Sequence, residues 1–163
     1  PKAKFVHLTR HPGDFVTSAI KKGWHKNDSV WEYGRVKMED DKRWMSLSQI
    51  ERLGWVWRET HDYIEDFKSL HSKDFLTLKL EDLTTKPSEV YSLLRFTGSD
   101  KRIEEKKIEA ILQRKVNEVK ISNEPKNMYK VAKYPKYLEW PNSDKGKLKE
   151  FVSESASLYQ YIM

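Results

Sequence analysis

Apolar positions change their period several times along the chain, and each change marks an element. Residues 4–9, Lys-Phe-Val-His-Leu-Thr, form a short apolar and β-branched run that predicts a buried strand. The run stops at Arg10, and His11-Pro12-Gly13 read as a turn. Pro12 suits the first turn of a helix, and Phe15, Val16, Ala19 and Ile20 then repeat at helical spacing until Gly23 ends the pattern. Residues 24–46 mix Trp24, Trp31, Tyr33 and Trp44 with many charges and no clear period, which predicts a long excursion with short helical pieces. From Leu47 a helical stripe of Ile50, Leu53, Trp57, Ile64 and Phe67, with Val56, Tyr63 and Leu70 beside it, predicts the longest helix, running to about Leu70. Residues 74–80 alternate, with Leu76, Leu78 and Leu80 on one face of a second strand. A helical crossover between two strands implies a parallel sheet.

Three further helices follow. Pro87 opens one through Val90, Leu93, Leu94 and Phe96, and Gly98 closes it. The next covers about 101–116, with Ile103, Ile108, Ile111 and Leu112 inward. Residues 117–141, with Pro125, Pro135, Pro141, several lysines and three tyrosines, predict a basic loop. The last helix, capped by Asn142 or Ser143, runs through Leu148, Phe151, Val152 and Leu158 to the terminus. The class is α/β, but two strands are too few to bury the stripes of four or five helices. Further strands are therefore expected upstream or from a partner chain, and Pro1-Lys2-Ala3 leading straight into a strand points to missing upstream sequence.

The chain has 163 residues, which suits a single domain over residues 1–163. Its 6 Trp, 8 Tyr and 6 Phe give enough bulk for a core despite 34% charged residues. The net charge of +6 is concentrated, because residues 101–149 hold 14 basic and 7 acidic side chains. That surplus fits an anionic partner: a nucleotide, a sulfated or phosphorylated sugar, or nucleic acid. Without cysteine there is no disulfide, thiolate metal site or cysteine nucleophile, which fits a reducing, cytoplasmic setting. No apolar run approaches membrane-spanning length, so no membrane partner is expected.

Chemistry concentrates at the first turn. Ligands of open α/β sheets bind beyond the carboxyl ends of strands, where Arg10 lies, and Ser18 is on the helix that follows. A guanidinium forks onto two phosphate oxygens while a hydroxyl donates to a third. The plain alternative pairs Arg10 with Asp14 or a carbonyl and turns Ser18 to solvent.

"PKAKFVHLTRHPGDFVTSAIKKG" resembles the 3′-phosphate-binding segment of sulfotransferases that use 3′-phosphoadenosine 5′-phosphosulfate (PAPS), in which a strand ends in Arg-Asp-Pro and a Ser follows eight positions after the Arg. Arg10 and Ser18 have that spacing, while His11 replaces the commoner Asp. "LKLEDLTTKPSEVYSLLRFTG", residues 78–98, is similar to the family's later strand and helix, and "YLEWPNSDKGKLKEFVSESASLYQY" to its closing helix. The resemblance implies the C-terminal part of a sulfotransferase domain, a helix-rich partial version of a three-layer, P-loop NTPase-like parallel-sheet fold. It also implies PAPS as donor and its bisphosphate (PAP) as product, with Arg10 and Ser18 binding the 3′-phosphate. A basic loop closes over that phosphate in the family, and Lys126, Lys130, Lys133 and Lys136 stand in its place without the family's glycines; the resemblance implies Lys130 and Lys133 as further phosphate contacts. A small-molecule or carbohydrate hydroxyl or amine is the implied acceptor. The family's 5′-phosphosulfate loop and general base have no counterpart here, so no catalytic residue is assigned. No His, Asp and Glu spacing calls for a metal.

Other candidates have plainer explanations. His25 follows the binding helix and so is near an acceptor's place, but reads as a surface histidine. His61 and His71 read as boundary residues of the long helix, and Glu81-Asp82 as helix-start and sheet-end polar contacts. Trp57 belongs to the core stripe, leaving Trp24, Trp31, Trp44 and Trp55 as acceptor contacts. Two competing functions remain open: a non-catalytic relic that kept the 3′-phosphate site, and a basic nucleic-acid-binding module stacking bases on Tyr129, Tyr134 and Tyr137. The second is the less favoured partner class.

Overall fold

The computed structural model describes residues 3–25, 41–99, 103–113 and 134–163. In chain order the elements are β1 (Phe5–Thr9), α1 (Pro12–Lys21), α2 (Asp41–Ser46), α3 (Gln49–Leu70), β2 (Phe75–Lys79), α4 (Leu80–Leu83), α5 (Pro87–Thr97), α6 (Glu105–Leu112) and α7 (Asn142–Leu158), with 3-10 turns at Ser72–Asp74 and Tyr137–Glu139. They fall into a sheet unit, Pro1–Arg10 with Lys68–Met128, and a helical unit, His11–Phe67 with Tyr129–Met163.

In the sheet unit β1 and β2 pair in parallel, from Phe5 opposite Phe75 to Thr9 opposite Lys79. This is the pairing that the helical crossover predicts. β1 is buried on one face only, however, and not throughout as its composition predicts. His7 and Thr9 are buried, whereas Val6 and Leu8 are each 44% exposed. Alternate residues of a strand point to opposite faces, so a register that turns His7 and Thr9 inward must turn the two apolar residues out. Thr9 is satisfied in that position, because its hydroxyl donates to the Leu78 carbonyl at 3.3 Å. Phe5 stacks on Phe75 with ring centres 5.2 Å apart.

β2 turns directly into α4, so Leu80 is helical rather than part of the strand. The Thr84 and Thr85 hydroxyls donate to carbonyls of Leu80 and Glu81 and close that short helix. α5 runs from Pro87 to a left-handed Gly98 at φ 75°, where the amides of Gly98 and Ser99 return to Arg95 and Leu94. In α6, Ile108 is buried and Leu112, four residues on, is half-buried, which turns Ile111 outward against expectation.

The helical unit packs α1, α3 and α7 around Val16, Ala19, Leu53, Trp57, Leu148, Val152 and Ala156. α3 starts in a capping box: the Ser48 amide donates to Glu51 Oε2 at 2.7 Å and the Glu51 amide to Ser48 Oγ at 3.4 Å. Gly54 is the point of closest approach, since a Cβ there would lie 2.9 Å from Leu148 Cδ1 and 3.2 Å from Phe151 Cβ. Further along, Ser155 donates to Asp62 at 2.5 Å and the Tyr159 hydroxyl donates to Glu65 at 2.9 Å. Trp57 and His61 are in edge contact, 4.1 Å between ring centres, and both face Tyr159. His61 is therefore buried rather than a boundary residue. Tyr63, Leu70 and Leu158 are exposed, so the stripes are narrower than periodicity implies. The residue before α7 is Pro141, and neither Asn142 nor Ser143 caps it.

Burial, and then its bond to Glu65, hold the Tyr159 phenol well above the ordinary tyrosine range. Because the folded value is raised, this contribution is complete below the unfolded value of about 10 and is lost as pH rises beyond it. Stability followed from pH 8 to 12 should fall above about pH 10, and Tyr159→Phe should flatten that limb while costing about 1.5–3 kcal/mol near neutrality. An unchanged alkaline limb in the variant would assign it to other groups.

Candidate functional site

The candidate site begins where β1 ends. Arg10, half-buried, is the last residue of the sheet unit, and His11 opens the helical unit. The first helical amides need acceptors, and at this helix a side chain supplies one: His11 Nδ1 accepts from the Gly13 amide at 3.1 Å. The amides of Asp14 and Phe15 return to the His11 carbonyl at 3.0 and 2.9 Å, and Pro12 fills the first helical position. His11 thus does the capping that Asp would do.

Gly13 has a different constraint. A Cβ there would lie 2.2 Å from the Tyr137 ring, so the ring rests on bare backbone. Tyr137 also meets His11, with ring centres 4.9 Å apart, and Trp140, at 5.3 Å. Its burial raises the phenol above the usual tyrosine range. Five residues after Gly13, Ser18 is half-buried, and its hydroxyl makes no hydrogen bond among the described residues. The neighbouring Thr17 hydroxyl is fully buried, also without a partner there. α1 stops at Gly23, φ 74°, with the Trp24 amide folded back onto Ala19.

Of the predicted phosphate ligands, Arg10 belongs to the sheet unit and Ser18 to the helical unit. Lys130, Lys133 and Lys126 lie outside the described residues, as does Trp31, while Lys136 is exposed. Several plainer readings need correction. His25 is buried rather than on the surface, with a left-handed backbone at φ 52° and its ring edge-on to Trp44 at 5.2 Å. Trp44 and Trp55 are buried against each other and Val56, which removes them from the acceptor contacts. Arg52 is buried there too, donating to the Trp44 and Met45 carbonyls at 3.0 and 3.1 Å. Glu81 and Asp82, by contrast, are helix-start polar residues as expected, in the first turn of α4 directly after β2, and Asp82 pairs with Lys86 at 2.9 Å, a hydrogen bond and charge contact that raise the lysine's pKa. The roles of His11 and Tyr137 were not evident from the sequence. The signal for His11 was its place directly before a Pro at the first helical position, where a cap is required.

The family model described as Sulfotransferase domain matches residues 1–154, a span that takes in Arg10, Ser18 and the basic loop. The chain belongs to the sulfotransferase-domain family. No curated protein and no solved structure matches it. Membership makes sulfuryl transfer the chemistry to which this sulfotransferase-domain chain is fitted, on an α/β framework with a small parallel sheet. Among its described residues no helix is long and apolar enough to cross a membrane, and no cluster of three His, Asp or Glu side chains has the arrangement of a metal site.

The contact between Gly13 and Tyr137 gives a direct test. Gly13→Ala should lose about 1–3 kcal/mol in urea unfolding, as overpacked sites do. Tyr137→Ala should make the same change nearly neutral. Equal costs in both backgrounds would mean that the ring does not rest on residue 13.

Proposed function

We propose that this chain carries the 3′-phosphate side of a PAPS site in a cytoplasmic sulfotransferase with a three-layer, P-loop-like fold. The observation that supports this most is the family match across a strand end and helix in which Arg10 and Ser18 stand eight residues apart. The donor set suits the group: a guanidinium forks onto two phosphate oxygens, and a hydroxyl with no other partner among the described residues is free to donate to a third. Bound PAPS supplies the activated sulfuryl group. This chain's residues contribute binding and orientation, with Arg10 and Ser18 selecting the 3′-phosphate that distinguishes this donor from ordinary adenine nucleotides. Lys130 and Lys133 add positive charge from the basic loop. The acceptor is a small-molecule or carbohydrate hydroxyl or amine.

Calorimetric titration with 3′,5′-adenosine bisphosphate tests the assignment. Arg10→Ala should weaken binding by about 1.5–3 kcal/mol, roughly 10- to 150-fold, and Ser18→Ala by about 1 kcal/mol. Neither change should alter the affinity for adenosine 5′-monophosphate, which lacks the 3′ group. Equal binding of the bisphosphate by native protein and Arg10→Ala would remove Arg10 from the site. Displacement of the bisphosphate by a short RNA at equal concentration would favour the nucleic-acid reading instead.

A further inference from the structure

The start of α1 is held by more than a cap. The Gly13 amide can only donate, so His11 Nδ1 must be the unprotonated nitrogen. In the neutral ring the proton is then on Nε2, which faces the Ile162 carbonyl at 3.4 Å. The same ring contacts Tyr137 at 4.9 Å and meets Tyr161 edge-on at 5.4 Å between centres. Tyr137 in turn covers Gly13, and Lys145 of α7 lies 5.6 Å above the Tyr137 ring while donating to the Leu138 carbonyl at 2.9 Å. Lys149 Nζ reaches the Met163 main-chain oxygen at 3.4 Å. Three segments far apart in sequence converge on one imidazole: the first turn of α1, residues 134–140, and residues 159–163.

We infer that His11, in its Nε2-protonated neutral form, is a positioning residue that fastens these three segments together, and that donor affinity depends on it. The second part rests on the proposed donor reading. His11 directly follows Arg10 in the chain, and residues 134–140 are the described end of the basic stretch that contains Lys130 and Lys133. An aspartate at position 11 would cap α1 equally well. It would offer neither the second nitrogen nor the ring face, so histidine adds a cross-link to the cap.

Three measurements on the 163-residue chain test this. Long-range proton–nitrogen NMR should show His11 with Nδ1 unprotonated and Nε2 protonated; the opposite tautomer overturns the inference. Amide hydrogen exchange should distinguish two variants. His11→Ala should speed exchange in residues 13–16, 134–140 and 159–163 together, by about fivefold in the first segment. His11→Asn, which keeps an acceptor for the Gly13 amide, should restore residues 13–16 and leave 159–163 fast. Acceleration by His11→Ala confined to residues 13–16 would reduce His11 to a local cap and overturn the inference. Bisphosphate affinity should drop about fivefold in His11→Ala, with His11→Asn between it and native. Unchanged affinity in His11→Ala overturns the coupling to donor binding. If native protein binds no bisphosphate, the donor reading fails by itself, while tautomer and exchange still decide the anchor.

Discussion

The helical unit depends on how closely α3 and α7 approach, and that is set by the missing side chain at Gly54. With backbone against Leu148 and Phe151, the two helices come near enough for Leu53 and Trp57 to bury against Val152 and Ala156. Contacts along the seam advance in the same direction on both helices: Gly54 with Leu148 and Phe151, then Asp62 with Ser155, then Glu65 with Tyr159. The helices are therefore parallel, and the polar pairs fix their register at the end where the apolar stripe thins. A buried phenol bonded to a carboxylate loses its partner if the register slips by one turn, so these bonds contribute specificity beyond their modest net stabilisation.

The start of α1 offers little to an anion. Helix N-termini often hold phosphates on their free amides. Here the Gly13 amide is taken by His11, and the Tyr137 ring covers the first turn. A phosphate is consequently not expected on the helix end itself. Under the proposed donor reading, recognition then falls to side chains such as Arg10 and Ser18 rather than to helix amides. A guanidinium keeps its charge at any pH of interest, so binding does not have to draw on the helix dipole.

Much of this architecture was legible in the sequence, because long helices and parallel crossovers leave strong periodic signals. The 22-residue α3, the Pro87 start and Gly98 stop of α5, and the parallel pairing all follow from spacing and punctuation. What escaped depends on tertiary context. Val6 and Leu8 have the composition of a buried strand, yet register turns them outward. Trp44 and His25 sit in a polar stretch that has no period, so nothing local shows that they are buried against each other. Within the site, Arg10 and Ser18 stood out by residue type and spacing. His11 and Tyr137 did not, since their contacts join positions 126 residues apart.

Charge needs the same discrimination between composition and placement. The basic surplus between residues 101 and 149 is the feature that most favours a nucleic-acid partner. Several of those lysines have other work: Lys145 and Lys149 donate to main-chain oxygens of Leu138 and Met163, and Lys107 lies 3.7 Å from Glu104. An exposed lysine so engaged adds little directed field, and salt screens what remains over about 10 Å. A half-buried guanidinium is screened less, and it forms forked bonds that an ammonium cannot. The positive charge of residues 101–149 is thus a weaker argument for a polyanion than its sum suggests, and the proposed donor reading rests on the arginine after the strand instead.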